Sequence, residues 1–578
     1  MPLGHRKKPF SVKQKKKQLQ EKRDKKKCQA EDRPGSETDN DGKYRPVKQV
    51  SRLNYQPGDK TDKGYDQNRY QLHFRRESQE EIERRKKLAR QPLQSLPVIA
   101  LEVDHDAIYQ PGSVLDMPKR PKWDYSMSKS QLITREETYF RTYMENIYEK
   151  HDAGDLSYFE LNLETWRQLW RVLEMSDVIL LITDIRFPVL HFAPTLYDFV
   201  TQELGKPIIL VLNKIDLAPP ALVVAWKHYL QSKYPRLHIV CFSSFPKDTL
   251  EDSGDDPGQV MHKRRKRRKY TAMGPTQLLQ ACETVVQGKV DLSSWRKKMC
   301  GEDPEGAEET DTVVENLTND GSFSEHQAYK DGVLTIGCCG YPNVGKSSLI
   351  NGLVGKKVVS VSKTAGHTKH FQTIFLTPTV KLCDSPGLVF PSLIKKQLQV
   401  LAGIYPIAQV REPYSVVMYL AERLPLKQLL KLQQHPEAEG LQDKTEREWS
   451  AFDICDAWAT QRGFIMPKTG KTDLYRAANH ILRIAVDGQL CMCMRPLGFN
   501  ADKANWEQHA DTQELMQQLQ QYTLKTDSEE SDMEVEDSSE GDGGSSDESG
   551  ETESEEESQE GNIETATTRN PFALLDSD

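Results

Sequence analysis

Residues 332–351 read GVLTIGCCGYPNVGKSSLIN, and this segment restricts the fold more than any other. Its short, continuous apolar run has the pattern of a strand buried on both faces. Gly340 to Ser347 then fits G-x-x-x-x-G-K-[ST], and SSLINGLVG continues as an apolar helix. Strand, glycine loop and helix in that order make a phosphate-binding loop. The glycines let backbone N–H groups face phosphate oxygens, and the helix N-terminus adds its dipole. Gly340, Tyr341, Pro342, Asn343, Val344, Gly345, Lys346, Ser347 and Ser348 are the candidate nucleotide contacts. Lys346 would neutralise the β- and γ-phosphates, and Ser347 would ligate Mg²⁺. GKT at 470–472 is a decoy, because Ile465 stands where the first glycine belongs and no strand precedes it.

The same rhythm runs upstream. DVILLITDIRFP (177–188) and PIILVLNKIDL read as buried strands and HIVCFSS as a third strand, separated by the helical stretches HFAPTLYDFVTQEL and ALVVAWKHYLQSKY. Alternation of this kind predicts a parallel α/β sheet, with functional loops at the carboxyl ends of its strands. TIFLTPTVKLCDSPG suits two antiparallel strands. Before the first strand, Leu163, Trp166, Leu169, Trp170 and Leu173 recur at spacings of three and four and form one apolar helix face, which is core.

A phosphate loop does not choose its base. NKID does: Asn213, Lys214 and Asp216 end a predicted strand. An aspartate there can accept from both N1–H and N2–H₂ of guanine, a donor pair that adenine lacks. Ser243 and Ser244 end the next strand, where their backbone either closes over the guanine oxygen or forms an ordinary turn. Asp384-Ser-Pro-Gly387 ends another apolar strand. Its aspartate would hold Mg²⁺ through water, and the Gly387 N–H would meet the γ-phosphate. In the intervening TAGHTKHFQT, Thr368 is the candidate to coordinate Mg²⁺ when GTP is present, and His367 and His370 read as exposed loop histidines.

These elements resemble the signature motifs of the translation-factor-related GTPases, but not in their usual order. Here they run NKID (213), SS (243), GKS (346), Thr368, DSPG (384). That resembles the circularly permuted GTPases, a family associated with ribosome assembly. Asp184 to Pro188, DIRFP, resembles the family's D-A-R-x-P segment with Ile185 in place of Ala; PGLVFPS and GKTDLYRAANHILRIAVDGQL are also similar. The resemblance covers roughly 135–500 and implies GTP hydrolysis with Lys346, Thr368 and Gly387 in the catalytic machinery. Ras-like enzymes follow DxxG with a water-orienting glutamine; here Leu388, Val389 and Phe390 follow. A leucine cannot polarise water, so slow intrinsic turnover is expected, with acceleration from an activating partner, a cation or another residue. Asn343 matches the loop asparagine that helps bind K⁺ in several related GTPases, or it merely shapes the loop.

The expected organisation is a basic, mixed N-terminal region without stable structure (1–90), a helical lead-in (91–160) and a permuted G domain (161–395). The G domain carries a charged insertion at 246–330 with one short helix near 276–299. A helical C-terminal domain (396–526) and an acidic tail (527–578) complete the chain. Charge sits in the tails. Residues 1–30 carry 12 Lys/Arg against 2 acids, while 527–560 carry 17 Asp/Glu and no Lys/Arg, in a chain of net charge −8. Basic segments 1–30 and 263–268 (KRRKRR) suit phosphate backbones or nuclear and nucleolar addressing, which makes RNA or ribonucleoprotein the expected partner beside GTP and GDP. No apolar run reaches 18 residues, so no transmembrane helix and no membrane partner are expected. Ten scattered cysteines without a CxxC pair read as reduced, buried thiols; Cys491 and Cys493 form a lone CxC. Two other readings stay open, a GTP-binding regulator of signalling or proliferation and a non-hydrolysing scaffold.

Overall fold

Each apolar run becomes a strand in a computed structural model that describes residues 77–244, 272–300, 314–315, 327–361, 372–433 and 448–522, single positions 111, 125, 153 and 468 excepted. β1 (Val178–Asp184), β2 (Ile208–Asn213), β3 (His238–Phe242), β4 (Val314–Glu315), β5 (Leu334–Cys339), β6 (Gln372–Thr377) and β7 (Val380–Asp384) form one sheet in the order β3-β2-β1-β5-β7-β6-β4. The pairs from β3 to β7 are parallel, and β6 and β4 are antiparallel. β1, β2 and β5 are buried along their whole length, which is why their sequences do not alternate.

β5 lies between β1, which precedes it in the chain, and β7, which follows it. The chain thus leaves the phosphate-loop strand toward opposite sides, and the crevice at such a switch point is where open α/β sheets bind ligands. Register completes the layout: Asp184 pairs with Asn213, Asn213 with Phe242, and Cys338 with Asp384. The carboxyl ends of five neighbouring strands, β3, β2, β1, β5 and β7, therefore lie along one edge.

Helix Leu163–Met175 buries the expected face, with Trp166 and Trp170 among the largest enclosed side chains. It lies so close to β5 that a Cβ on Gly337 would meet Ser176 Oγ at 2.4 Å and Val172 Cγ1 at 2.9 Å. Helices Tyr414–Ala421, Ala451–Arg462 and Leu474–Val486 pack together, and their apolar residues join the sheet in one continuous core. The described residues form one compact unit; a second, Lys525–Asp578, lies outside them.

Three expectations change. Two helices, Pro275–Val286 and Ser293–Cys300, occupy the insertion where one was expected. Leu278, Leu279, Cys282, Val286 and Trp295 are buried, so apolar spacing prevails there over the charged flanks. The N-terminal region expected to lack structure to residue 90 contributes helix Gln79–Leu88, capped by Ser78 and carrying buried Ile82. The lead-in is only partly helical: after Lys129–Lys150, residues 157–160 run extended along the chain that follows DSPG. Ser157 N–H donates to Ser392 O, Glu160 N–H donates to Val389 O, and the Gln399 amide bonds both backbone groups of Tyr158.

Candidate nucleotide-binding site

The loop after β5 takes a shape that few residues allow. Gly340 (φ +150°) and Gly345 (φ +99°) have conformations unfavourable to side chains. A Cβ on Gly340 would meet Ile182 O at 2.4 Å, and one on Gly345 would meet Asn213 Nδ2 at 2.5 Å. Asn343 is also left-handed at φ +58°, and its Nδ2 donates to Gly403 O at 2.9 Å. Lys346 begins helix Lys346–Val354 and curls back, its Nζ donating to Tyr341 O (2.7 Å) and Gly340 O (3.1 Å). Burial lowers that ammonium to about 8, with Asp384 opposing the shift. Val344 is enclosed, and the Tyr341 hydroxyl meets that of Tyr109 at 2.7 Å behind the loop. Pro342 and Ser348 sit within the same loop and first helical turn.

The base motif locks onto this loop. Asn213 Nδ2 donates to Val344 O at 2.8 Å, and Lys214 Nζ donates to Asn343 O at 2.7 Å and to Asp184 Oδ2 at 2.8 Å. Lys214 is left-handed (φ +61°), a turn steadied by Asn213 Oδ1, which accepts the Lys214 N–H. Asp216 is buried, and Ser243 Oγ donates to its Oδ1 at 2.6 Å. Ser243 differs from expectation here. Its backbone N–H donates to Met273 O and its carbonyl accepts from Met273 N–H, so the hydroxyl faces the base motif. Ser244 is buried, its Oγ without a partner among the described residues.

On the other side of β5, Ser347 Oγ donates to Asp384 Oδ2 at 3.0 Å. Asp384 is fully enclosed and its Oδ1 has no partner among the described residues. Burial raises its carboxyl to about 6, with Lys346 and Ser347 opposing the shift. Gly387 passes so near the loop that a Cβ would meet Pro342 Cα at 2.7 Å and Lys346 Nζ at 3.1 Å. Leu388, Val389 and Phe390 are all core residues, and Phe390 packs edge-on against Trp166. Thr368, His367 and His370 lie outside the described residues.

Guanine-type base motif, phosphate loop and strand-end aspartate therefore converge although the chain meets them in rotated order. The guanine nucleotide-binding protein-like 1 of Mus musculus is 54% identical over 543 residues, 88% of this chain and 89% of its own. This chain belongs to that family of circularly permuted GTPases. The large subunit GTPase 1 homolog of Bos taurus is 29% identical over 66% of this chain and 67% of its own. The family model described as 50S ribosome-binding GTPase matches residues 335–441, which hold the phosphate loop and DSPG but not NKID. The solved GNP-bound structure of YlqF from T. maritima covers 57% of this chain and 96% of its own at 17% identity and a TM-score of 0.29, too slight a likeness to add to the fold. Members of this GTPase family bind GTP, hydrolyse it and normally use Mg²⁺. Oxygen donors from a hydroxyl and a carboxylate suit that ion, and the partnerless Asp384 Oδ1 beside Ser347 fits its presence.

Sequence reading gave no role to Asp184 and Arg186, quoted only as a family-like segment. Both are buried, and a short-range Asp-x-Arg pair at a strand end was the visible signal. Behind the loop, His191 is enclosed, its ring 5.4 Å from that of Tyr341. Burial pushes its imidazole down to about 3, with Asp184 opposing, so the ring is neutral. Cys491 and Cys493 are buried thiols whose Sγ atoms donate to the carbonyls of Gly488 and Leu217.

Proposed function

We propose that this GTPase is a slow-hydrolysing, nucleotide-dependent switch acting on ribosomal or other RNA–protein assembly in the nucleus and nucleolus. Asp216 reads N1–H and N2–H₂ of guanine, steadied by Ser243, while Asn213 and Lys214 brace the phosphate loop against the base site. Backbone N–H groups of the loop and Lys346 meet the β- and γ-phosphates. Ser347, Asp384 and Thr368 would hold Mg²⁺, which would neutralise charge developing on the phosphates. Gly387 N–H meets the γ-phosphate. Asn343 is the candidate for K⁺, its amide nitrogen already held by Gly403 O.

The observation that carries slow turnover is the enclosure of Leu388 at the position after DxxG. Neither its chemistry nor its place supplies a group to orient water, so hydrolysis is expected to depend on an activator. The same observation favours a second reading, a scaffold that binds nucleotide without hydrolysing it. Single-turnover hydrolysis with Lys346→Ala as control separates the two, since a rate equal to the control leaves only the scaffold. Equal rates in K⁺ and Na⁺ would remove K⁺ from the account.

The assembly role draws on the name of one similar protein, a large subunit GTPase, on the matching family's description as a 50S ribosome-binding GTPase, and on the basic segments 1–30 and 263–268. Crosslinking of cellular RNA and protein to the GTP-bound chain tests it. Recovery of ribosomal components is expected; their absence, with no co-sedimentation on ribosome gradients, favours a signalling regulator. Because DSPG leads directly into the helices from Lys396 onward, nucleotide state has a short covalent path to them.

A further inference from the structure

Arg186, buried in a segment with no assigned role, joins the nucleotide motifs to the C-terminal helices. Its Nε donates to Asp184 Oδ1 (3.1 Å) and its Nη2 to Asp184 Oδ2 (2.8 Å), the same oxygen that accepts Lys214 Nζ at 2.8 Å. Lys214 in turn bonds Asn343 O in the phosphate loop. The far side of the guanidinium reaches another element: Nη1 donates to Ala485 O at 3.0 Å and Nη2 to Val486 O at 3.2 Å. Those are the final carbonyls of helix Leu474–Val486, at the negative end of the helix dipole, and the Ala485 carbonyl also accepts from Gly488 N–H at 3.2 Å.

The chain beyond that helix stays against the base motif. A Cβ on Gly488 would meet Leu217 Cδ1 at 2.7 Å, the Cys493 thiol donates to Leu217 O, and Met494 N–H donates to Arg186 O at 2.8 Å. On the loop side, Gly403 accepts from Asn343 and packs against Val486. A planar fork is required for this double duty. An ammonium presents one compact charge and cannot grip a carboxylate side-on while capping two carbonyls.

We propose that Arg186 is a positioning residue that couples occupancy of the guanine-nucleotide site to the order of residues 484–495, by sharing Asp184 with Lys214. This rests on the reading of the site as a nucleotide switch. It is a second connection, separate from the covalent path after DSPG. Any shift of Lys214 on nucleotide binding alters its share of Asp184 and hence the grip of Arg186 on the helix end. By linkage, the helix end must alter nucleotide affinity by the same factor.

Hydrogen exchange on the full chain tests this, nucleotide-free, with GDP and with a GTP analogue, for wild type and Arg186→Lys. In wild type, nucleotide is expected to slow exchange in 340–347 and, by about five- to tenfold, in 484–495. Arg186→Lys should keep the first protection and lose the second. A purely structural arginine would instead raise exchange in 484–495 equally with and without nucleotide, and that outcome overturns the proposal. If the variant does not fold, the wild type still decides: protection at 340–347 without change at 484–495 sinks the coupling, whereas protection at neither sinks the nucleotide reading itself.

Discussion

Two aspartates end the strands that flank the phosphate-loop strand, Asp184 on β1 and Asp384 on β7, and both are fully buried. Their surroundings are opposite. Burial would raise the Asp184 carboxyl, but Arg186 and Lys214 outweigh it and hold it far below the usual carboxylate range. Asp384 has one hydroxyl donor and a partnerless oxygen, and burial raises it to about 6. The first is a satisfied charge that organises loops. The second is a charge that the protein alone does not satisfy, as expected where a cation completes the set.

The largest expected effect breaks the satisfied member. Asp184→Asn leaves Arg186 buried without its counter-charge, and such a loss costs about 3–5 kcal/mol. Chemical denaturation should show that drop; a change under 1 kcal/mol, far below that range, would mean the cluster is not the organiser described.

Asp384→Asn should act with the opposite sign on the metal-free, nucleotide-free protein. Its folded pKa lies above its unfolded value of 3.8, so the wild type is fully stable on this account only below about pH 4 and loses stability as pH rises through about 6. A shift of about two units corresponds to roughly 3 kcal/mol. The amide should therefore raise stability at pH 7.5 and flatten the slope between about pH 4 and 6, while Mg²⁺-dependent GTP affinity falls. For Asp184, whose folded pKa is depressed, stability is present above its unfolded value and lost only as pH falls, so Asp184→Asn should lose it at neutral pH and flatten the acid limb. Loss of stability at pH 7.5 in Asp384→Asn would erase the contrast.

Leu388→Gln probes whether the missing glutamine can be restored. Leu388 lies in the core beside Val389 and Phe390, with a backbone bond to Gly340 O. A buried amide without partners costs about 2 kcal/mol, and no faster hydrolysis is expected. A rate gain would show that this segment leaves the core when GTP binds.

Much of this site was legible in the sequence because chemistry and fold agreed over short distances. The glycine spacing of 340–345 demands a loop that only a strand and helix can frame, and the apolar runs before NKID and DSPG are too short for core helices and end in polar or turn residues. The permuted order was legible because motifs are recognised one at a time. What was not legible depends on partners far along the chain: Met273 taking the Ser243 backbone, Gly403 taking Asn343, and the carbonyls of Ala485 and Val486 taking Arg186. Near 276–299 one short helix was read where there are two, the charged flanks outweighing the helical spacing of Leu278, Leu279 and Cys282.

The smallest predicted effect isolates one such distant relation. Ser243 Oγ and Asp216 Oδ1 are 2.6 Å apart, and a donor to a buried carboxylate orients it. Ser243→Ala removes that donor but leaves the backbone bridge to Met273 and the strand end in place. The expected cost is about 1 kcal/mol in GTP and GDP affinity alike, roughly five- to tenfold, with the fold unaffected. Because the donor acts only through Asp216, the loss should vanish in an Asp216→Asn background, where the base-reading carboxylate is already gone. Mant-nucleotide titration of the four proteins in that cycle measures the coupling directly. Additive losses would mean that the Ser243 hydroxyl acts on nucleotide by some route other than the aspartate.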